Sequence, residues 1–128
     1  MQYLKTYLKK ITDRGNTKLA ESIEKTANDV GNKHIKTFSF SSHEIGLLLG
    51  NVQSGKTGQM FGIICKAADL GFPVFVLLTT DNVVLQQQTL DRVRADLEGF
   101  CICGENDAAL FAENNLMDPV IIVLKKNV

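Results

Sequence analysis

Along the first third of the chain, apolar residues recur at helical spacing. Leu4, Tyr7, Leu8 and Ile11 form one stripe, with Lys5, Lys9 and Lys10 outside it. That three-and-four rhythm predicts an amphipathic helix over residues 2–12. Arg14-Gly15-Asn16-Thr17 breaks the pattern and offers Asn16 or Thr17 as the cap of a second helix. The second stripe runs through Leu19, Ile23, Ala27 and Val30, with Gly31 as the expected terminator. Together they predict a helical hairpin, assigned to residues 1–36, whose apolar side must pack on another element. Residues 32–44 form a polar connector interrupted by Phe38 and Phe40.

From Ile45 the rhythm alternates between strand and helix, the mark of an α/β chain with a parallel sheet. Ile45-Gly46-Leu47-Leu48-Leu49 is apolar enough for a buried strand, and Thr57 to Leu70 reads as a helix with Met60, Ile63, Ile64 and Ala67 on its apolar side. Gly71 fits that helix's stop, and Pro73 prevents continuation. Residues 73–78 read as a second strand. Asn82 to Leu97 reads as a helix with Leu85, Thr89 and Val93 stacked, and Phe100 to Cys103 as a short strand. Ala108 to Glu113 suits one or two helical turns, and Val120 to Leu124 a last strand.

Between the first strand and the helix after it lies Gly50-Asn51-Val52-Gln53-Ser54-Gly55-Lys56-Thr57, a complete GxxxxGK[ST] loop. Strand, glycine-rich loop and helix is the setting in which this motif binds phosphate. Its backbone N–H groups would converge on an anion, aided by the positive end of the helix dipole. Lys56 would reach the β- and γ-phosphates of ATP, and the Thr57 hydroxyl would ligate Mg²⁺. The plainer reading, a glycine turn joining strand to helix, explains neither the lysine nor the threonine.

The formal net charge is zero, which supplies no global field toward nucleic acid or membrane. Residues 1–36 carry eight Lys/Arg against four acids, leaving six against ten for the rest. A basic front of this kind suits a nucleic acid, an acidic partner, or simply solvated helix faces. Cys65, Cys101 and Cys103 give an odd count, and neither a secretory leader nor an apolar run of membrane-spanning length is present. Reduced thiols in a cytoplasmic protein are therefore expected. Cys101-Ile102-Cys103 has no second Cys or His pair at zinc spacing, so two cysteines on one face of a strand are expected there.

A phosphate-loop hydrolase also needs an acid at the end of another strand to hold Mg²⁺. Asp81 trails the second strand beyond two threonines, and Asp118 precedes the last strand. Neither stands where that acid belongs. The chain is accordingly expected to be an incomplete lobe, the front piece of a longer ATPase, with residues 37–128 a partial phosphate-loop domain.

The segment order resembles the first RecA-like lobe of superfamily-two (DEAD/DEAH-type) helicases. The loop at Gly50–Thr57 stands at their motif I, Thr79-Thr80-Asp81-Asn82-Val83-Val84-Leu85-Gln86-Gln87-Gln88-Thr89 where motif Ia begins, and Val120 to Leu124 at a later strand. Three stretches are similar to helicase-like ATPases that carry a Z-one domain in bacterial restriction and mobile-DNA loci. These are the loop with Ile64-Cys65-Lys66-Ala67-Ala68-Asp69, then Asn82 with Leu85, Gln88, Thr89 and Arg92, and then Val120 to Asn127. The resemblance covers about residues 45–128. It implies ATP and Mg²⁺ held by Gly55, Lys56 and Thr57, and a DNA-dependent ATPase whose second lobe supplies an arginine finger. It also implies that Gln88 and Arg92, four apart on one helix side, face nucleic acid, although ordinary exposed residues fit that spacing equally well. Phe38, Phe40 or His43 would stack on adenine, or the phenylalanines would seat the hairpin on the sheet. Two other readings stay open: a non-hydrolysing nucleotide-binding assembly module, and a small phosphate-loop kinase, for which Arg14, Arg92 and Arg94 form no lid-like cluster.

Overall fold

The computed structural model describes residues 2–48, 56–79, 83–105, 107 and 117–125. The chain divides into two compact units, Gln2–Gly71 and Phe72–Val128. The first is helical: α1 (Tyr3–Asp13), α2 (Thr17–Val30) and α3 (Lys56–Asp69) pack on one another. The hairpin stripes turn inward as the spacing requires, burying Leu4, Tyr7 and Ile11 from α1 and Ala20, Ile23 and Ala27 from α2. Gly15 takes the left-handed conformation (φ 87°) at the turn between them.

Two details differ from the sequence pattern. Gly31 does not end α2 in a left-handed cap: its φ is −61°, and the chain continues into a π-helical turn, Gly31–Ile35, closed by Lys36 N–H donating to the Gly31 carbonyl at 2.7 Å. Gly31 is instead a point of close approach, since a Cβ there would sit 2.5 Å from Cγ of the Lys66 stem. The buried side of α3 is also rotated from the one expected. Of the expected residues Ala67 is inside, but Met60 is 39% exposed and Ile63 and Ile64 are half-buried, and Gly58, Gln59, Phe61, Gly62, Cys65 and Ala68 make up the rest of the buried side. Glycine carries no hydropathy signal, yet Gly58 and Gly62 make the notch into which Ile23 of α2 fits. At the far end Gly71 (φ 98°) stops α3 as expected, its N–H donating to the Ala68 carbonyl at 3.0 Å.

The second unit is a small parallel sheet with a helix against it. β1 (Val74–Thr79), α4 (Val83–Asp96), β2 (Cys101–Cys103) and β3 (Val120–Lys125) give the spatial order β1-β3-β2, with every pairing parallel. The register sets Val74 beside Val120 and Leu78 beside Leu124, and Cys101 beside Val120 on the other flank. β3 lies between two partners and is the core: Val120, Ile121 and Val123 are each 0% exposed. α4 buries Leu90 and Val93, with Leu97 just beyond its end. Leu85 of the expected stripe is 43% exposed, and the Thr89 hydroxyl donates to the Leu85 carbonyl of its own helix at 3.0 Å.

The chain is thus α/β: among the described residues one unit holds a three-stranded parallel sheet with α4 against it, and the other is helical. The strand expected at Ile45–Leu49 is not formed over its described part. Residues 43–48 lack regular structure, and Ile45 and Leu47 are 85% and 84% exposed. A single strand gains stability only from a ladder, and the ladders among the described residues join β1 to β3 and β2 to β3. Leu49 and the helical turn expected at Ala108–Glu113 lie outside the described residues.

Candidate functional site

The glycine-rich loop was the strongest chemical signal in the sequence, and its last two residues open α3. Gly50, Asn51, Val52, Gln53, Ser54 and Gly55 lie outside the described residues. Lys56 is exposed and Thr57 half-buried in the first turn of a 14-residue helix, and that turn holds no acid. The first four N–H groups of any α-helix lack intrahelical acceptors and carry the positive end of its dipole. These groups, a lysine ammonium and a threonine hydroxyl form a donor set suited to a triphosphate with its Mg²⁺. With no acid in that turn, nothing there opposes an anion.

The hairpin supports this end of α3. The Tyr7 hydroxyl donates to the carbonyl of Gly58 at 3.5 Å, and its ring meets Phe61 edge-on at 6.2 Å. Gln59, 8% exposed, donates through Nε2 to Ser22 Oγ at 3.0 Å, while its buried Oε1 has no hydrogen-bond partner. At the other end of α3 the Asp69 carboxylate accepts the Tyr3 and Leu4 amides at 2.7 and 3.2 Å, capping α1. Sequence reasoning missed these contacts, because partners 37 to 66 residues apart leave no local signature.

The candidate base-reading residues are peripheral. Phe38 and Phe40 pack edge-on against each other at 5.2 Å, and Phe40 is 82% exposed. His43 is exposed, whereas His34 Nδ1 meets Glu44 Oε1 at 2.8 Å and ties the π-helical turn to the connector.

In the sheet unit, Gln88 and Arg92 are both exposed on α4. Arg92 Nε lies 3.8 Å from the buried carboxylate of Asp96, so part of its charge is already answered within the helix. Asp81 lies outside the described residues, and Asp118 is exposed just before β3. Open α/β sheets bind ligands beyond the carboxyl ends of their strands, so Asp118 stands at the wrong end. The acids past the carboxyl end of β2 are Glu105 and Asp107. Glu105 Oε1 accepts the Lys125 amide at 2.8 Å, and Asp107 Oδ2 accepts the Gly104 amide at 2.6 Å, with Arg94 Nη2 3.6 Å away. Glu105, two residues beyond β2, is visible in the sequence, but the strand-end acids singled out there are Asp81 and Asp118.

Cys101 and Cys103 share one face of β2 with their sulfurs 3.8 Å apart. Burial, then Cys101 and Asp107, pushes the Cys103 thiol up to about 11. Burial, then Asp69, pushes Cys65 up as well. Among the described residues no cluster of three or more His, Cys, Asp or Glu could hold a metal ion, and no helix is long and apolar enough to cross a membrane. Comparison with protein-family models, curated proteins and solved structures gives no match.

Proposed function

We propose that this chain binds ATP with Mg²⁺ through Gly50–Thr57 and is the nucleotide-binding portion of a helicase-like, nucleic-acid-dependent ATPase. The observation that carries the reading is that α3 begins at Lys56, so Lys56 and Thr57 of a complete GxxxxGK[ST] motif occupy the first turn of a helix free of acids. Lys56 neutralises the β- and γ-phosphates, Thr57 ligates Mg²⁺, and Gln88 with Arg92 offers a candidate DNA-backbone contact in the sheet unit. The full ATPase would draw its metal-binding acid and its arginine finger from beyond these residues.

A second reading, nucleotide binding without hydrolysis, is favoured by one specific observation. Glu105 and Asp107, at the carboxyl end of β2, are already engaged by the Lys125 and Gly104 amides and by Arg94. Calorimetric titration of ATP and ADP, with and without Mg²⁺, on this chain and on Lys56→Ala tests the shared core of both readings. Loss of one charge-assisted phosphate contact is expected to weaken Mg·ATP binding about tenfold or more. Equal binding by the two proteins, or binding by neither, overturns it. Phosphate release measured with and without DNA then separates the ATPase from the non-hydrolysing module.

A further inference from the structure

The hairpin touches α3 at the residue immediately after Thr57. Ile23, 0% exposed, places Cδ1 3.2 Å from where a Cβ on Gly58 would stand, and its Cγ2 fills the space of a Cβ on Gly62. Tyr7, 2% exposed, reaches the Gly58 carbonyl, and Ser22 holds Gln59. Three successive features of the first turn and a half of α3, Gly58, Gln59 and Gly62, are therefore set by side chains of α1 and α2. Asp69 pins the opposite end of α3 to the start of α1. Close-packed interiors resist small displacements, so a helix held at both ends moves only with what holds it.

We propose that the α1–α2 hairpin positions the phosphate-binding end of α3, with Ile23 as the positioning residue, so that nucleotide occupancy and seating of the hairpin on α3 are thermodynamically linked. This rests on the reading of Lys56 and Thr57 as phosphate and Mg²⁺ ligands. The weight falls on the Ile23–glycine packing. The Tyr7–Gly58 hydrogen bond, at 3.5 Å, is long and contributes little. Its use is as a reporter, because the chain has two tyrosines and no tryptophan. Linkage is reciprocal: whatever loosens the hairpin weakens nucleotide binding by the factor by which nucleotide tightens the hairpin.

The test uses the full chain and the variant Ile23→Val, which deletes the methyl over Gly58 and keeps the one over Gly62. Ile121→Val, a buried one-carbon deletion in β3 of the sheet unit, controls for lost stability. In Ile23→Val the calorimetric Kd for Mg·ATP is expected to rise about two- to tenfold, the range of affinity that one lost buried methyl can convert into. Ile121→Val is expected to bind as the parent does. In Tyr3→Phe, Tyr7 is the sole tyrosine, and its emission, corrected for nucleotide absorption, should shift along the same isotherm. Parent-like Kd in Ile23→Val with unmoved Tyr7 emission, while Lys56→Ala loses binding, overturns the linkage and leaves the phosphate site standing. Equal weakening in Ile121→Val reduces the effect to general stability and also overturns it. Failure of the parent chain to bind overturns both the site and the linkage.

Discussion

The helical unit and the sheet unit hide their apolar residues to different degrees. In the helical unit three elements face one another, and Ile23, Ala27 and Phe61 are each 0% exposed. In the sheet unit, among the described residues, β3 reaches that state at Val120, Ile121 and Val123 and α4 at Val93 alone. Along β1, Val74, Val76 and Leu78 are 42%, 57% and 69% exposed, and Val83, Val84 and Leu85 in the first turn of α4 are exposed too. The cause is geometric. A helix buries one stripe, which a neighbour can cover, but a parallel sheet has two apolar faces and ordinarily needs covering on both. In β1 the alternate residue Leu77 is 8% exposed, so its side of the strand is covered and the other row is open. Hydropathy alone does not separate Leu77 from Leu78. Their cost on substitution does.

The largest effects therefore fall where both units are closed. Phe61→Ala, removing a ring fully buried against Tyr7, is expected to cost about 3–5 kcal/mol, and Ile121→Ala in β3 about 2–5. Leu78→Ser is expected to stay within about 0.5 kcal/mol, as exposed substitutions do. Urea unfolding followed by circular dichroism measures all three. A cost for Leu78→Ser matching that for Ile121→Ala would mean that the open row of β1 is covered in solution, and the contrast between the units would collapse.

A narrower contrast lies inside the helical unit, at two glycines that face the same isoleucine. A methyl on Gly62 would overlap Cγ2 of Ile23, a branch fixed close to the α2 backbone, whereas a methyl on Gly58 would press on Cδ1, the free end of that side chain. Overpacking without an escape costs about 1–3 kcal/mol, which exceeds the roughly 1 kcal/mol gained by exchanging glycine for alanine in a helix. Gly62→Ala is accordingly expected to destabilise, and Gly58→Ala to be neutral or mildly stabilising. Ile23→Ala in the Gly62→Ala background should recover part of the loss, and a strictly additive double variant would refute the notch. Melting temperatures of the parent, the three single variants and the double variant suffice.

Much of this architecture was legible because it rests on local rules. The hairpin stripes, the break at Gly15, the stop at Gly71 and the strands at 74–79 and 120–125 follow from periodicity and turn chemistry. What escaped depends on partners distant in sequence. The stretch at Ile45–Leu48 has strand composition but forms no strand, since composition supplies no ladder partner. The inner face of α3 was read from Met60, Ile63 and Ile64, because glycines look silent until Ile23 is placed over them. Of the candidate site, a helix directly after the glycines was legible from the motif, expected from Thr57 and described from Lys56. The supports of that helix, Tyr7, Ser22 and Ile23, were not, because each lies over 30 residues away.

The smallest expected effect compares one buried thiol from each unit. Cys65 lies 1% exposed in α3 and Cys103 3% exposed in β2, and burial raises both above the ordinary value of 9.0. Above that value the unfolded chain releases the proton while the folded chain keeps it. The unfolded state then binds fewer protons, and stability falls as pH rises. The contribution is complete below pH 9.0. For Cys103 it is lost progressively until the folded thiol itself titrates at about 11, and for Cys65 the loss continues beyond that point. Each thiol contributes a slope of at most about 1.4 kcal/mol per pH unit in its window. Urea midpoints taken at about pH 8 and about pH 10 should fall less in Cys65→Ala and in Cys103→Ala than in the parent, whatever cavity cost each variant carries at the lower pH. If only one variant flattens the profile, the two thiols differ in how firmly burial holds their protons, and the unit whose variant leaves the slope unchanged is the one that opens to water first.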